Sequence, residues 1–259
     1  MTIHLIGGDA RQLYLADYIS DRGFPVTCSF LGGTGLPQWD ADIMILPLPA
    51  TRDGINLNTP LAQETLPLAH IFKHFKGKQL FGGKLPPGAP GIDYYQAEEI
   101  TLANAALTVE GALALAILHT PFALLRQPVL VLGAGRIGQL LALRLTALGA
   151  RVTVAARRAE SLALCRALGA EGRFFEDVPY QRFRLIFNTV PARVLPLDRL
   201  QEDTTLIELA SAPGGFDAGE AQRLGLQVIT APGLPGKYTP ESAAAFIGEF
   251  ILKEMERLA

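Results

Sequence analysis

Two cysteines in 259 residues, Cys28 and Cys165, are too few and too far apart to frame a disulfide scaffold or a metal knuckle. Both read as small buried hydrophobes in a reducing compartment. An excess of one charge sign is also missing: 23 Lys+Arg against 25 Asp+Glu leaves −2 on a chain that is 19% charged. That excludes a basic nucleic-acid surface as the leading function. The longest uninterrupted apolar runs, such as Gly111 to Leu118, fall far short of the roughly 20 residues of a membrane span. Met1 to Gly8 lacks the basic start and small-residue cleavage site of a signal peptide. The expectation is a soluble, cytoplasmic protein with no membrane or nucleic-acid partner. No internal repeat, metal-ligand spacing, nucleophile elbow or catalytic triad is apparent. What is present is 49% hydrophobic residues and a mean hydropathy of +0.25, enough for a large core in one to two domains.

Short β-branched or Leu-rich runs alternate with helical stretches, the pattern of βαβ units around a mostly parallel sheet. In the first third, strands are predicted at Ile3 to Ile6, Val26 to Phe30, Ile43 to Pro47 and Gln79 to Phe81, with helices at Ala10 to Asp21 and Leu66 to Phe75. GGKLPPGAPG at Gly82 to Gly91 is a loop, either a linker or a ligand contact. Asn104 to Thr120 reads as one long helix, apolar on most faces. A second α/β series follows, with strands at Val129 to Leu132, Val152 to Ala155, Leu185 to Asn188, Thr205 to Leu209 and Gln227 to Thr230. Its helices fit Ile137 to Leu148, Glu160 to Leu168 and Ala218 to Leu224. A last helix, Pro240 to Leu258, has proline in its first turn, where the missing N–H costs nothing. It is expected to pack back on the first lobe. Residues 1–103 with 239–259 are thus expected to form one domain, and residues 104–238, with the bridging helix 104–120, a second.

Between strand and helix stands Gly133-Ala134-Gly135-Arg136-Ile137-Gly138, a GxGxxG in the context of a Rossmann βαβ unit. Gly133 permits the tight turn, Gly135 admits a pyrophosphate close to the backbone, Gly138 lets helix and strand pack, and the helix N-terminus supplies N–H groups. The alternative is a glycine-rich turn that binds nothing. At the end of the next strand, where NAD-binding domains place a carboxylate for the ribose 2′-OH, stand Arg157 and Arg158. Guanidinium groups suit a 2′-phosphate, which favours NADP; otherwise they are two solvated arginines.

Ligands of open α/β sheets bind outside the carboxyl ends of the strands. Four loops there are unusual: Gly7 to Gln12, which offers N–H groups and Arg11 to an anion; Asn188 to Pro191; Ser211 to Gly215; and Ala231 to Tyr238. Together they would wall a cleft. His119 either caps its helix or enters the pocket. Lys237 either holds a carboxylate or is solvated, and Asp93 and Tyr94 belong either to a site or to a turn. His4, His70 and His74 read as structural or solvated.

The segments GGDARQ (7–12), IDYY (92–95), NAALTVEGALALAILHT (104–120), LGAGRIG (132–138), NTVPA (188–192), LASAPGG (209–215) and APGLPGKYTPESA (231–243) resemble, in order, the A-subunit family of dipicolinate synthase. The resemblance implies a two-lobed α/β fold similar to formate/glycerate dehydrogenases. It pairs a Rossmann NADP-binding domain with a smaller flavodoxin-like α/β substrate domain. It also implies NADP-dependent oxidation of a dihydrodipicolinate-type dicarboxylate to dipicolinate in the mother cell of a sporulating bacterium. The flavoprotein-like B-subunit of dipicolinate synthase is the implied partner, and homo-oligomerisation follows by analogy. Cofactor contacts would come from Gly133, Gly135, Arg136, Ile137, Gly138, Arg157, Arg158, Asn188, Thr189, Val190, Pro191, Ala210 and Ser211. Substrate contacts would come from Gly7, Gly8, Asp9, Arg11, Thr108 and Lys237, with the Gly7-Gly8 turn and Arg11 taking one carboxylate. His119, Lys237 and Tyr94 are the candidates for acid/base work.

The chain departs from 2-hydroxyacid dehydrogenases, which place a catalytic Arg after the strand ending at Leu209 and a Glu-paired His later. Here Ala212 occupies that loop and no later histidine exists. Two rival readings stand beside oxidation of the dicarboxylate: a non-catalytic NADP-binding regulatory protein, and a shikimate-dehydrogenase-like reductase. The second shares NTVP and the strand-end arginine but requires a Lys/Asp pair not recognisable in the first lobe.

Overall fold

Every residue of β1 (Ile3–Ile6) is buried, as expected of a parallel strand covered on both faces. In the computed structural model, which describes residues 1–33 and 35–258, β1 leads into α1 (Ala10–Ser20). It pairs in parallel with β2 (Val26–Ser29) on one side and β3 (Ile43–Ile45) on the other. After α2 (Leu68–His74) come β4 (Gln79–Gly82) and β5 (Ile92–Asp93), giving a five-stranded sheet of order β2-β1-β3-β4-β5. This is the flavodoxin-like order, and its switch point lies between β1 and β3. Within β1, His4 is fully buried, its ring nitrogens 2.8 Å from Thr27 Oγ1 and 2.8 Å from Ser29 Oγ. Burial pushes its pKa down to about 4.

The chain divides into two compact units, residues 1–104 with 235–259 and residues 105–234. α3 (Glu98–His119) runs through the division. It starts six residues before the predicted Asn104, with Glu98 and Glu99 in its first turn, where negative charge suits the positive end of the helix dipole. By length and composition α3 is apolar enough to cross a membrane, its few polar residues interrupting the run but leaving the mean hydropathy high. Val109, Ala112 and Ala116 from it are buried in the core of the second unit.

The second unit runs β6 (Pro128–Leu132), α4 (Arg136–Ala147), β7 (Arg151–Ala155), α5 (Ala159–Ala167), β8 (Glu171–Arg173), β9 (Leu185–Asn188), β10 (Thr205–Glu208), α6 (Ala218–Arg223) and β11 (Gln227–Thr230). Its six strands order as β11-β10-β9-β6-β7-β8, the doubly wound order of dinucleotide-binding domains. Alternation along β6 sends Val129 and Val131 to one face, with Leu141, Leu145 and Phe187. Leu130 and Leu132 go to the other, with Ile186 and Leu206. β5 and β8 are additions to the predicted strands. The predicted loop at 231–238 contains a short helix, α7 (Leu234–Tyr238).

α8 (Pro240–Leu258) returns to the first unit. Its Ala244, Ile247, Ile251 and Met255 share a core with Leu15 and Ile19 of α1. A side chain at Gly248 would run into the Tyr18 ring, so glycine lets the two helices approach closely.

Candidate functional site

In the second unit, β6 is followed by Gly133, whose φ of +99° is ordinary for glycine and strained for any other residue. A Cβ there would lie against the Thr189 hydroxyl, and one at Gly138 would strike the Gly133 carbonyl oxygen. These two glycines therefore close the strand-to-helix turn. Gly135 differs: a Cβ on it meets nothing within 4 Å. Open space over the N-terminus of a 12-residue helix is what a pyrophosphate needs.

Around that space lies a cavity of about 460 Å³. Gly133, Gly135, Arg157, Arg158, Thr189, Val190 and Pro191, all expected cofactor residues, line it together. Ala134, Ala156, Ser161 and Phe175 line it too, beyond the expected set. Ser161 lies in the first turn of α5 just behind the arginines, a position the strand-end rule could have flagged. Phe175 follows β8, which has no pattern to read in the sequence. Arg157 and Arg158 are exposed, and neither guanidinium has a hydrogen bond or ion pair among the described residues. No carboxylate lines the cavity. The donor set fits a phosphorylated dinucleotide.

Arg136, Ile137, Gly138, Asn188, Ala210 and Ser211 are not on the cavity wall. Asn188 and Glu208 instead brace its loops from behind. Glu208, buried at the end of β10 and absent from the expected set, accepts from Asn188 Nδ2 at 2.7 Å and from the Ala210 N–H at 2.9 Å. Its other oxygen accepts from the Gly215 N–H at 2.9 Å. Asn188 Nδ2 also donates to the Val190 carbonyl at 2.9 Å. Thr108 is buried.

In the first unit the strand-end loops carry charge, but not as expected. Asp9 caps α1 by accepting the Arg11 backbone N–H at 3.1 Å. The Arg11 side chain donates to the same carboxylate through Nε at 2.9 Å and Nη2 at 2.8 Å, and Nη2 also donates to the Leu48 carbonyl. Arg11 is 6% exposed, and only Nη1 stands outside these bonds. The N–H groups of Gly7 and Gly8 donate to Ser29 and Asn58 carbonyls at 2.9 and 2.8 Å. The expectation that this turn and Arg11 await a carboxylate is thus corrected: the Gly7 and Gly8 N–H groups and the Arg11 Nε and Nη2 donors are committed inside the protein. Burial would raise the Asp9 carboxyl, but the Arg11 hydrogen bonds and charge, with the Arg52 charge beyond, outweigh it and hold the pKa below the ordinary value.

Among the acid/base candidates, Tyr94 is corrected to a core residue. It is fully buried, its hydroxyl donates to the Leu46 carbonyl at 3.2 Å, and burial raises its pKa far above the usual phenol range. Asp93, next to it, caps a turn by accepting the backbone N–H groups of Lys84, Leu85 and Tyr95. His119, at the end of α3, and Lys237, in α7, are exposed.

Comparison with known proteins places these features. A profile of the N-terminal domain of the dipicolinate synthase A-subunit matches residues 2–89. The dipicolinate synthase A-subunit of Bacillus subtilis (strain 168) is 30% identical over 285 residues, covering 98% of this chain and 95% of that protein. The crystal structure of the dipicolinate synthase A-subunit from Bacillus halodurans superposes with a TM-score of 0.84 at 27% identity, over 97% of this chain and 96% of that one. A Salmonella D-lactate dehydrogenase structure shares the fold at a TM-score of 0.66 and 13% identity, over 100% of this chain and 97% of that one. With a relative aligned nearly end to end and a solved relative superposing over almost its whole length, the chain belongs to the A-subunit family of dipicolinate synthase.

Proposed function

We propose that this chain is an NADP-dependent oxidoreductase that aromatises a dihydrodipicolinate-type dicarboxylate to dipicolinate during spore formation. It would act in the cytoplasm of the mother cell, as a homo-oligomer alongside the flavoprotein-like B-subunit. The observation that carries the cofactor half is the cavity of about 460 Å³ whose wall has no carboxylate and two arginines that are unpaired among the described residues. The substrate half rests on the family.

Oxidised nicotinamide, when bound, supplies a hydride acceptor. Gly133, Gly135 and Gly138 shape the turn so that the α4 N-terminus can hold a pyrophosphate, and Arg157 and Arg158 bind the 2′-phosphate. Asn188 and Glu208 keep the neighbouring loops in place. The dihydropyridine would give up its hydride to the oxidised nicotinamide and a proton to solvent water, a loss that the gain of aromaticity would drive without a strong base from the chain. The chain's task is therefore chiefly placement of the ring carbon.

A second reading, a cofactor-binding protein whose partner carries the chemistry, draws on the sealed Tyr94 hydroxyl and the lack of an acid/base pair on the cavity wall. One assay separates them: NADPH formation by the purified chain with NADP⁺ and freshly generated dihydrodipicolinate, with NAD⁺ in parallel. Turnover by the chain alone, faster with NADP⁺, is the expected result. Silence until the B-subunit is added would favour the second reading.

A further inference from the structure

We propose that Arg52, seated by Asn58 at the switch point of the first unit's sheet, is the receptor for a carboxylate of the dicarboxylate ligand. The identity of that ligand rests on the function proposed above; the seat itself rests on charge and hydrogen bonding.

Three ionised groups meet where the loops after β1 and β3 come together. Asp9 and Arg11 neutralise each other in a two-pronged ion pair whose side chains are only 26% and 8% exposed. Arg52 is near enough to bias the Asp9 carboxyl, yet it forms no ion pair among the described residues. The cluster therefore carries one surplus positive charge, on the exposed arginine rather than the buried one. This switch point is where open α/β sheets take their ligands.

Asn58 makes this a built site rather than a solvated arginine. Its backbone joins the two loops: the N–H donates to the Ala50 carbonyl and the carbonyl accepts from the Gly8 N–H, both at 2.8 Å. Its Oδ1 accepts from Arg52 Nε at 3.0 Å, which fixes the guanidinium by one edge and leaves the two Nη groups without a partner among the described residues. Arg Nε–H can only donate, so it also fixes the amide: turning it over would set donor against donor. Nδ2 is thereby turned away from Arg52. It has no acceptor in the structure, although Asn58 is only 7% exposed, and a buried amide left unpaired is costly. A carboxylate supplies the partner that the Arg52 fork lacks, in the planar geometry that guanidinium prefers, on a guanidinium already held in place by Asn58 Oδ1.

The test is isothermal titration of the full chain with dipicolinate, using the unaltered protein, Arg52→Gln and Arg52→Lys, with melting temperature as the check on folding. Arg52 is exposed but supplies the hydrogen bond to the buried Asn58 Oδ1, so the variants should stay folded with at most a small drop in melting temperature. Arg52→Gln should weaken dipicolinate binding at least tenfold. Arg52→Lys, which keeps the charge but loses the fork and Nε–H, should fall between. Binding by Arg52→Gln within twofold of the unaltered chain overturns the seat, as does no binding by the unaltered chain. Binding that depends on Arg52 without NADPH formation from the dihydro compound leaves the seat standing and removes the proposed reaction. Turnover with an unchanged KM in Arg52→Gln does the reverse.

Discussion

Arg157 and Arg158 are surface side chains with no internal partner among the described residues, so replacing them should leave the fold intact and act on one ligand phosphate. Arg157→Ala is expected to raise KM for NADP⁺ about tenfold or more, the worth of a charge-assisted contact, with NAD⁺ kinetics nearly unchanged; equal losses with both cofactors would contradict the assignment. His4 makes a prediction of stability instead. The folded chain holds its proton more weakly than the unfolded chain, whose imidazole titrates near 6.5. Its contribution is therefore complete above pH 6.5 and is lost as pH falls toward 4, at about 1.4 kcal/mol per pH unit, or about 3 kcal/mol over that window. Urea midpoints measured from about pH 7.5 to 4 should fall accordingly, and His4→Gln should flatten that part of the curve. Residues of this kind are the least legible in sequence. Arg11 reads as a strand-end anion receptor, and only the tertiary structure shows that Asp9 and the Leu48 carbonyl have taken its donors. Arg52 and Asn58 sit in TRDGINLN, a stretch that looks like any polar turn until β1 and β3 are adjacent.

Elements were legible where period and punctuation agreed. Val129 to Gly149 shows a β-branched run, a glycine turn and an amphipathic helix closed by glycine, and that is what forms. β5 is two residues long and β8 is the polar Glu-Gly-Arg; neither has a hydrophobic period to read, because each is an edge strand of its sheet. Helix packing gives an element-scale test. Glycine inside a helix costs about 1 kcal/mol against alanine, so replacing an isolated one would ordinarily stabilise. At Gly248 the Tyr18 ring occupies the space, and Gly248→Val is expected to destabilise by about 1–3 kcal/mol through overpacking. A thermal melt that rises instead would show α1 and α8 parting without penalty. Gly135→Val probes the opposite case: open space accepts the side chain, so stability should hold while NADPH binding, followed by fluorescence, is lost.

At the scale of the whole molecule, the alternation of strands and helices is enough to announce two parallel sheets, and the family resemblance supplies their orders. Those orders, rather than any catalytic motif, put the glycine turn at the carboxyl edge of one sheet and the Asp9, Arg11 and Arg52 cluster at the carboxyl edge of the other. The return of α8 to the first unit has a consequence in time. A ribosome delivers β1 to β5 first, then all of residues 105–234, and only at the end the Ile247, Ile251 and Met255 that complete the core around α1. Domains fold as units as they emerge, so the second-made unit has everything it needs before the first-made one does. The amino-terminal sheet must wait, partly uncovered, until the last helix clears the exit tunnel.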